Sequence, residues 1–163
     1  MIAGGDADLT AADLRRLAAG AGVHDRVHVL GPVDQEIVPA LYEGADAVAY
    51  VSLYETFGHP VLEALAFGKP VLTSSEGATA EVGGAATCLV DPSDVADIAG
   101  GLRTVALDAG ARARLSAAGP ARARDFTWAA CAEGSVAASR RAVPRQKDDR
   151  HQKSNAGAAT PRS

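Results

Sequence analysis

The stretch YETFGHPVLEALAFGKPV, residues 54–71, holds the pattern that decides the fold. Pro60 suits the first turn of a helix, where the N–H that proline lacks would have no partner in any case. The apolar residues that follow at helical spacing predict the buried face of that helix: Val61, Leu62, Leu65 and Ala66. A short apolar strand, residues 70–73, comes directly afterwards. A helix followed at once by a short strand is one unit of an alternating α/β chain.

The same alternation runs through most of the sequence. Short apolar strands are predicted at residues 1–3, 26–30, 46–51, 70–73 and 87–90. Helices are predicted after Thr10, where Asp13 completes a capping box, after Asp34, after Ser93, and at residues 109–118 and 128–143. Residues 74–86 are predicted to form a loop. The succession indicates an α/β fold, a Rossmann-like parallel sheet with helices on both faces.

Composition and charge narrow the function. The 163 residues are 47% hydrophobic, enough for one globular domain, predicted at residues 1–143. Seven basic residues and two acidic ones follow Ser139, so this end carries +5 and the remainder −9, for a net charge of −4. The acidic body argues against a nucleic-acid partner. Residues 144–163 are predicted to be a disordered basic tail, either a solvated end or a segment that contacts phosphate or an anionic membrane surface.

Cysteines and hydropathy predict the compartment. Cys88 and Cys131 lie far apart, without a CxxC spacing, which predicts reduced thiols in the core and neither a disulfide framework nor a zinc site. The first residues lack the pattern of a signal peptide, and no run of about 18 apolar residues is present. A cytoplasmic protein with at most peripheral membrane contact is therefore expected.

Two glutamates, Glu55 and Glu63, flank the turn in residues 54–71. Ligands of parallel α/β sheets bind beyond the carboxyl ends of the strands, and this turn follows a predicted strand. Gly58 lets the backbone approach a ligand, and free N–H groups at a helix start favour an anion. Carboxylates accept hydrogen bonds from hydroxyls, so a nucleotide sugar would satisfy both features. On spacing alone, the helix macrodipole at Glu63 and solvation of Glu55 in a loop are the better explanation of the two acids.

The order of the motifs adds a resemblance. ETFGHPVLEALAFGKPV, preceded by RVHVLGPV and ALYEGADAVAYVSLY and followed by TSSEGATAEVGGAATCLVDP, resembles the nucleotide-binding half of retaining glycosyltransferases of family 4, which have the GT-B fold. The resemblance covers residues 1–143. Its most specific part is the Glu-x7-Glu element, supported by Gly58, Pro60, the Gly-Lys-Pro-Val run and the Glu-Val-x-Gly run. It implies the C-terminal domain of a GT-B protein without its first strand and helix, where an Arg and a Lys grip the diphosphate.

The resemblance also implies roles for individual residues. Glu55 would be the catalytic residue that holds a hydroxyl of the transferred sugar, and Glu63 would hold the ribose hydroxyls. The remaining donor-binding residues would act through their backbone. The sugar or diphosphate would be contacted by Phe57, Gly58 and His59, and the nucleobase by Gly31, Pro32 and Val33. His59, where the family often has an apolar residue, either caps the helix or touches the sugar. Glu81 is expected to brace residues 74–84.

The activity implied is transfer of a sugar from a nucleoside diphosphate sugar to an unknown acceptor, with retention, and with neither a metal nor another cofactor. This chain would be the donor-binding half, either an active enzyme by itself or a donor-binding module that a separate N-terminal half could complete. The alternative is a stand-alone nucleotide-binding or regulatory α/β domain without transferase activity. Dependence of binding on the sugar separates the two hypotheses.

Overall fold

A computed structural model describes residues 1–4 and 9–142 of the protein. The predicted tail, residues 144–163, lies outside the described residues. The strands are β1 (Ile2–Ala3), β2 (Val29–Gly31), β3 (Val48–Tyr50), β4 (Val71–Ser74) and β5 (Cys88–Val90). The helices are α1 (Ala11–Gly20), α2 (Val38–Gly44), α3 (His59–Ala66), α4 (Gly77–Gly83), α5 (Val95–Leu107), α6 (Ala109–Ala123) and α7 (Trp128–Ala142), with 3-10 turns at His24–Arg26, Gln35–Ile37 and Gly84–Ala86.

Every strand pairing in the described residues is parallel. β1 pairs with β2, and β3 pairs with β4, which pairs with β5 on its other edge. In the second ladder Leu72 lies opposite both Ala49 and Cys88. Parallel strands need crossover connections, and the helices that supply them cover both sides of the sheets. The predicted α/β fold with parallel strands and helices on both faces is confirmed.

The core of the domain is built around β4, whose four residues are all buried. Leu72 packs with Val90 of β5, Val105 of α5 and Leu115 of α6 in one apolar cluster. A strand with partners on both edges and apolar cover on both faces reads as a continuous apolar run, which is why residues 70–73 stand out in the sequence. β4 is therefore the fixed element from which the neighbouring loops extend.

The predicted capping signals mostly hold. The Thr10 hydroxyl accepts a hydrogen bond from the Asp13 N–H at 3.2 Å, and the Asp13 carboxylate accepts one from the Thr10 N–H at 3.1 Å, so the capping box of α1 is confirmed. Asp34 precedes the 3-10 turn Gln35–Ile37, but its side chain makes no capping hydrogen bond, so that part of the prediction is wrong.

The prediction of a loop at residues 74–86 is wrong. Ser74 ends β4, and residues 77–83 form α4, with Thr79 and Val82 buried. Glycines at both ends of this segment lower its helix propensity, so the sequence does not indicate a helix, and packing stabilises the helix instead. α6 also runs past its predicted end, through Pro120 to Ala123, because Gly119 packs closely on α3.

Two predictions about burial also need correction. The buried residues of α3 are Val61, Ala64 and Leu65, so the inward face is rotated toward Ala64 and away from Ala66, which is exposed. Both cysteines are free thiols, but Cys131 is exposed on α7 and is not part of the core. Helical spacing alone does not fix which edge of an apolar stripe is covered.

The chain divides into two units, Met1–Arg124 and Asp125–Ser163, and α7 lies in the second. The predicted domain at residues 1–143 spans the first unit and α7. Within the described ranges no helix has the length and apolar character needed to cross a bilayer.

Two adjacent glycines in α5 test the packing of the core. A Cβ added at Gly101 would lie 2.4 Å from Leu72 Cδ1 and 2.6 Å from Val90 Cγ1, whereas one at Gly100 meets nothing within 4 Å. Gly101→Ala is expected to lower the free energy of unfolding by about 1–3 kcal/mol because the core is overpacked. Gly100→Ala, the matched control, is expected to raise it by about 0.5–1 kcal/mol. Urea denaturation measures both, and equal effects would contradict this packing.

Candidate functional site

The loop after β3 is fastened to the end of β4. The Thr73 hydroxyl donates to the carbonyl of Tyr50 at 2.8 Å. The Ser74 hydroxyl accepts from the Ser52 N–H at 3.0 Å and donates to the Ser52 carbonyl at 2.5 Å. Because Thr73 and Ser74 are themselves buried, these bonds fix the first residues of the loop that carries Glu55.

The turn before α3 depends on Gly58. Its φ of +87° is left-handed, and a Cβ at this position would lie 2.7 Å from Thr79 Cγ2. The Gly58 carbonyl accepts from the Val61 N–H at 3.0 Å, which closes the first turn of α3. The N–H groups of Gly58 and His59 have no hydrogen-bond partner among residues 1–4 and 9–142. Adjacent free N–H groups at a helix start form a concave site for an anion.

Glu55 is half-buried in this loop and is held by a tyrosine. The Tyr50 hydroxyl donates to Glu55 Oε1 at 2.5 Å. Glu55 Oε2 has no hydrogen-bond partner in the described part of the chain. Burial, and then the hydrogen bond and the negative charge of Glu55, raise the pKa of Tyr50 from 10.0 to about 12. Tyr50 therefore stays a neutral donor, and one carboxylate oxygen of Glu55 stays available.

Glu63 has the same arrangement on the exposed face of α3. The Tyr42 hydroxyl lies 3.0 Å from Glu63 Oε2 and 3.4 Å from the Pro60 carbonyl. The Tyr42 ring stacks on Phe67, with centroids 5.5 Å apart. Burial, and then the hydrogen bond and charge of Glu63, raise the pKa of Tyr42 well above its usual value. Glu63 Oε1 has no hydrogen-bond partner within the described ranges.

The other predicted site residues occupy two places. Phe57 and His59 lie on either side of Gly58, and their rings pack with centroids 4.8 Å apart. His59 makes no capping hydrogen bond, so of its two predicted roles helix capping is excluded. The predicted nucleobase segment Gly31–Val33 lies at the end of β2, in the other ladder, with Gly31 at φ +71°. Its carbonyl at Gly31 accepts from the Gly4 N–H at 2.9 Å.

Three basic side chains of the domain have partners away from the two glutamates. Arg15 donates to the Val29 carbonyl at 3.2 Å, Arg16 pairs with Asp13 at 2.6 Å, and Lys69 donates to the Glu43 carbonyl at 2.9 Å. None of these contacts involves Glu55 or Glu63. These contacts join α1 to β2, lie within α1, and join Lys69 to the α2 backbone, respectively.

The expectation that Glu81 braces its segment needs a correction. Arg122 of α6 donates through Nε to the Val82 carbonyl at 3.0 Å and through a second nitrogen to the Glu81 carbonyl at 2.6 Å. The Glu81 carboxylate is exposed and makes no hydrogen bond in the part of the chain that the structure describes. Backbone oxygens, and not the acid, tie α4 to α6.

Sequence analysis missed the two tyrosines of the site. Tyr42 is one member of the apolar stripe of α2, and Tyr50 ends a strand of small residues. The available signal was weak, because a tyrosine hydroxyl needs a partner when its ring is packed, and a glutamate is one of many. As for metals, the described residues bring no three His, Cys, Asp or Glu side chains together. Function without a metal stays a prediction.

Fold and geometry together define an α/β domain whose candidate ligand site lies where β3 and β4 end. The model of the family described as glycosyl transferases group 1 matches residues 1–122. Relatives of known function agree: a D-inositol 3-phosphate glycosyltransferase from Salinispora tropica is 41% identical over 117 residues, which are 71% of this chain and 24% of that protein. The chain belongs to the group 1 glycosyl transferase family.

Further similarities fix the fold class. O-antigen chain mannosyltransferase B from Escherichia coli is 38% identical over 105 residues, 64% of this chain and 28% of that one. Sucrose-phosphate synthase from Thermosynechococcus elongatus superposes with a TM-score of 0.66 at 28% identity, over 85% of this chain and 36% of that one. HepE from Anabaena, solved in complex with UDP, superposes with a TM-score of 0.69 at 22% identity, over 86% of this chain and 40% of that one. The fold is that of GT-B glycosyltransferases, and the chain spans 24–34% of the length of eight such relatives.

The turn at Gly58 gives a prediction about backbone strain. Gly58→Ala is expected to lower the free energy of unfolding by about 2–4 kcal/mol, since it adds a left-handed penalty to the collision with Thr79. Gly77→Ala is the matched control, because Gly77 also has a positive φ, +68°, but open space around it. Thr79→Ser removes the colliding Cγ2 and should recover part of the loss in the double variant. Additive losses in urea denaturation would contradict the collision.

Tyr50 gives a prediction about pH. Its pKa of about 12 exceeds the ordinary 10.0, so its contribution to folding is present below pH 10 and is lost as the pH rises from 10 to 12. With Tyr42 and Tyr54 replaced by Phe, Tyr50 is the sole tyrosine, and its absorbance at 295 nm follows the titration. Glu55→Gln should lower the observed pKa but leave it above 10, because burial is the largest cause. An unchanged curve would place Tyr50 away from Glu55.

Proposed function

We propose that this chain is the donor-binding half of a retaining glycosyltransferase of family 4, which transfers a sugar from a nucleoside diphosphate sugar to an acceptor. In this proposal Glu63 holds the ribose hydroxyls, Glu55 holds a hydroxyl of the transferred sugar, and the backbone at residues 57–59 meets the diphosphate or sugar. The segment Gly31–Val33 lines the nucleobase. Family 4 and retention are supported by the Glu-x7-Glu element and the order of the motifs around it.

One observation carries the proposal. Glu55 and Glu63 each have one oxygen held by a tyrosine and one oxygen without a partner among the described residues, and they flank the two free N–H groups of Gly58 and His59. Carboxylate oxygens accept from hydroxyls, whereas N–H groups donate to phosphate oxygens. A ligand with hydroxyls on both sides of an anionic centre matches this order, and a nucleoside diphosphate sugar has that structure.

The negative charge of a diphosphate requires cationic side chains in addition to the N–H groups of this turn. Arg15, Arg16 and Lys69 already have partners away from the two glutamates. Negative charge grows on the leaving diphosphate in the transition state, and cations stabilise it there. We therefore propose that basic residues of another part of the enzyme complete the site, so that donor binding here is weaker than in the whole protein.

The sheet topology suggests where that other part attaches. β1 and β3 each have one partner strand in the described residues. A doubly wound sheet has six strands in the order 3-2-1-4-5-6. In such a sheet the ladder β2-β1 would supply strands 3 and 2, the ladder β3-β4-β5 would supply strands 4, 5 and 6, and strand 1 would separate β1 from β3. Met1 and residues 47–49 line one cavity of about 480 Å³. In this proposal the strand between β1 and β3 is the first strand of the nucleotide-binding half, supplied by a segment that is covalently joined or separate, and it would pair with both edges. Transfer to the acceptor, whose identity is open, requires the N-terminal half as well.

Calorimetric titration of the 163-residue chain tests the proposal. The ligands are UDP, GDP and ADP and their glucose or mannose conjugates. Glu63→Ala is expected to weaken diphosphates and nucleotide sugars alike, by roughly tenfold or more, because a charged hydrogen-bonding pair is lost. Glu55→Ala should weaken only the nucleotide sugars. Glu133→Ala is the control, since Glu133 is exposed on α7 and lies outside every segment proposed to bind the donor.

Three results would contradict this function. If the folded chain binds none of these ligands, the donor-binding role of residues 1–163 is wrong. If binding is the same with and without the sugar, and Glu55→Ala has no effect, the chain is a nucleotide-binding or regulatory domain. If Glu133→Ala weakens binding as much as Glu63→Ala, the site lies elsewhere. A chelator should change nothing, as the proposed reaction uses no metal.

A further inference from the structure

Two tyrosine hydroxyls contact the carboxylates of the candidate site, each from a different element. Tyr50 is the last residue of β3 and reaches Glu55 at 2.5 Å. Tyr42 lies on α2 and reaches Glu63 at 3.0 Å across 21 residues of sequence. The third tyrosine of the chain, Tyr54, is 83% exposed and has no hydrogen bond in the described residues. The two contacts are thus a property of the site and not of tyrosines in this chain generally.

We propose that Tyr42 and Tyr50 are the positioning residues of Glu63 and Glu55, each holding one carboxylate oxygen so that the other faces the ligand. The inference rests on the proposed function for the identity of that ligand. Neither tyrosine needs to touch it. A glutamate has three rotatable side-chain bonds, and fixing one oxygen beforehand removes most of the ordering that binding would otherwise require.

Both tyrosines are well supported for this role. The backbone of Tyr50 pairs with Thr73 in the parallel ladder, and its carbonyl accepts from the Thr73 hydroxyl at 2.8 Å. The ring of Tyr42 stacks on Phe67, which directly follows α3, so α2 and the helix of Glu63 are held in one arrangement. Supporting groups that are themselves fixed by packing keep functional side chains within the narrow limits that recognition requires.

The two tyrosine–glutamate hydrogen bonds also act on two different parts of the ligand. A carboxylate held through one oxygen accepts ligand hydroxyls through the other, so each tyrosine governs one part of the ligand. Tyr42 acts through Glu63 on the ribose, which every nucleoside diphosphate carries. Tyr50 acts through Glu55 on the transferred sugar, which only the nucleotide sugar carries. Loss of one hydroxyl should therefore change affinity for one part of the ligand and not for the other.

The test compares Tyr42→Phe, Tyr50→Phe and the control Tyr54→Phe, which remove a hydroxyl and keep the ring. UDP and UDP-glucose are the probes in calorimetry. Tyr42→Phe should weaken both by roughly tenfold, the effect expected for one hydrogen bond to a charged group. Tyr50→Phe should weaken UDP-glucose by a similar factor and leave UDP unchanged. Tyr54→Phe should alter neither.

A second measurement needs no ligand. Carbon-13 relaxation of the glutamate side-chain methylenes reports their mobility on the picosecond to nanosecond timescale. Mobility should rise at Glu63 alone in Tyr42→Phe, at Glu55 alone in Tyr50→Phe, and at neither in Tyr54→Phe. Each substitution removes a hydroxyl and keeps the ring, which in Tyr42→Phe keeps the contact with Phe67, so each variant is expected to fold, and circular dichroism checks this.

The two measurements separate this inference from the function on which it rests. If the parent chain binds neither probe, the proposed donor binding fails for uridine nucleotides, while the relaxation data still decide whether the tyrosines position the glutamates. Unchanged glutamate mobility in both variants overturns the positioning role. If the parent chain binds but Tyr50→Phe weakens UDP as much as UDP-glucose, the division between the two tyrosines is wrong.

Discussion

Complete burial of β4 is the constraint on which the rest of the structure depends. Its backbone is hydrogen-bonded to a neighbouring strand on each edge, and its side chains are buried on both faces of the sheet. Polar groups in such a strand must find partners, and Thr73 and Ser74 find theirs in the carbonyl of Tyr50 and the backbone of Ser52. The satisfaction of two buried hydroxyls therefore fixes the course of the loop that carries Glu55. The geometry of the candidate site follows from the packing of the core.

Much of the fold could be predicted from local signals, since strands and helices carry different periods of apolar residues. β4 and the start of α3 are clear because burial on both faces and Pro60 in the first turn leave unambiguous traces. The prediction failed where tertiary contact overrides propensity. α4 is glycine-rich and helical because Thr79 and Val82 are buried, and α6 passes through Pro120 because Gly119 lets it pack on α3. Sequence spacing contains neither contact.

The candidate site, like the fold, has residues that could be predicted from the sequence and residues that could not. Glu55, Gly58 and Glu63 could be chosen from sequence because of the order of the motifs around them, since spacing alone is explained by the helix macrodipole and by solvation in a loop. The left-handed Gly58 and its contact with Thr79 give that choice a physical reason. The tyrosines could not be found, since nothing in residues 38–50 marks their hydroxyls as partners of two specific acids. Their contacts depend on how α2 and β3 pack beside α3.

The arrangement also bears on why acids stand beside a site for an anion. Each carboxylate repels a phosphate, so an acid next to free N–H groups weakens anion binding unless it recovers more from another part of the ligand. A free phosphate has no ribose diol to donate to Glu63, and a nucleoside diphosphate has no transferred sugar to donate to Glu55. The repulsion from Glu55 is offset only when a sugar donates a hydroxyl to its open oxygen. Two acids held in place by Tyr42 and Tyr50 therefore disfavour simple anions, and this discrimination comes from repulsion as much as from attraction.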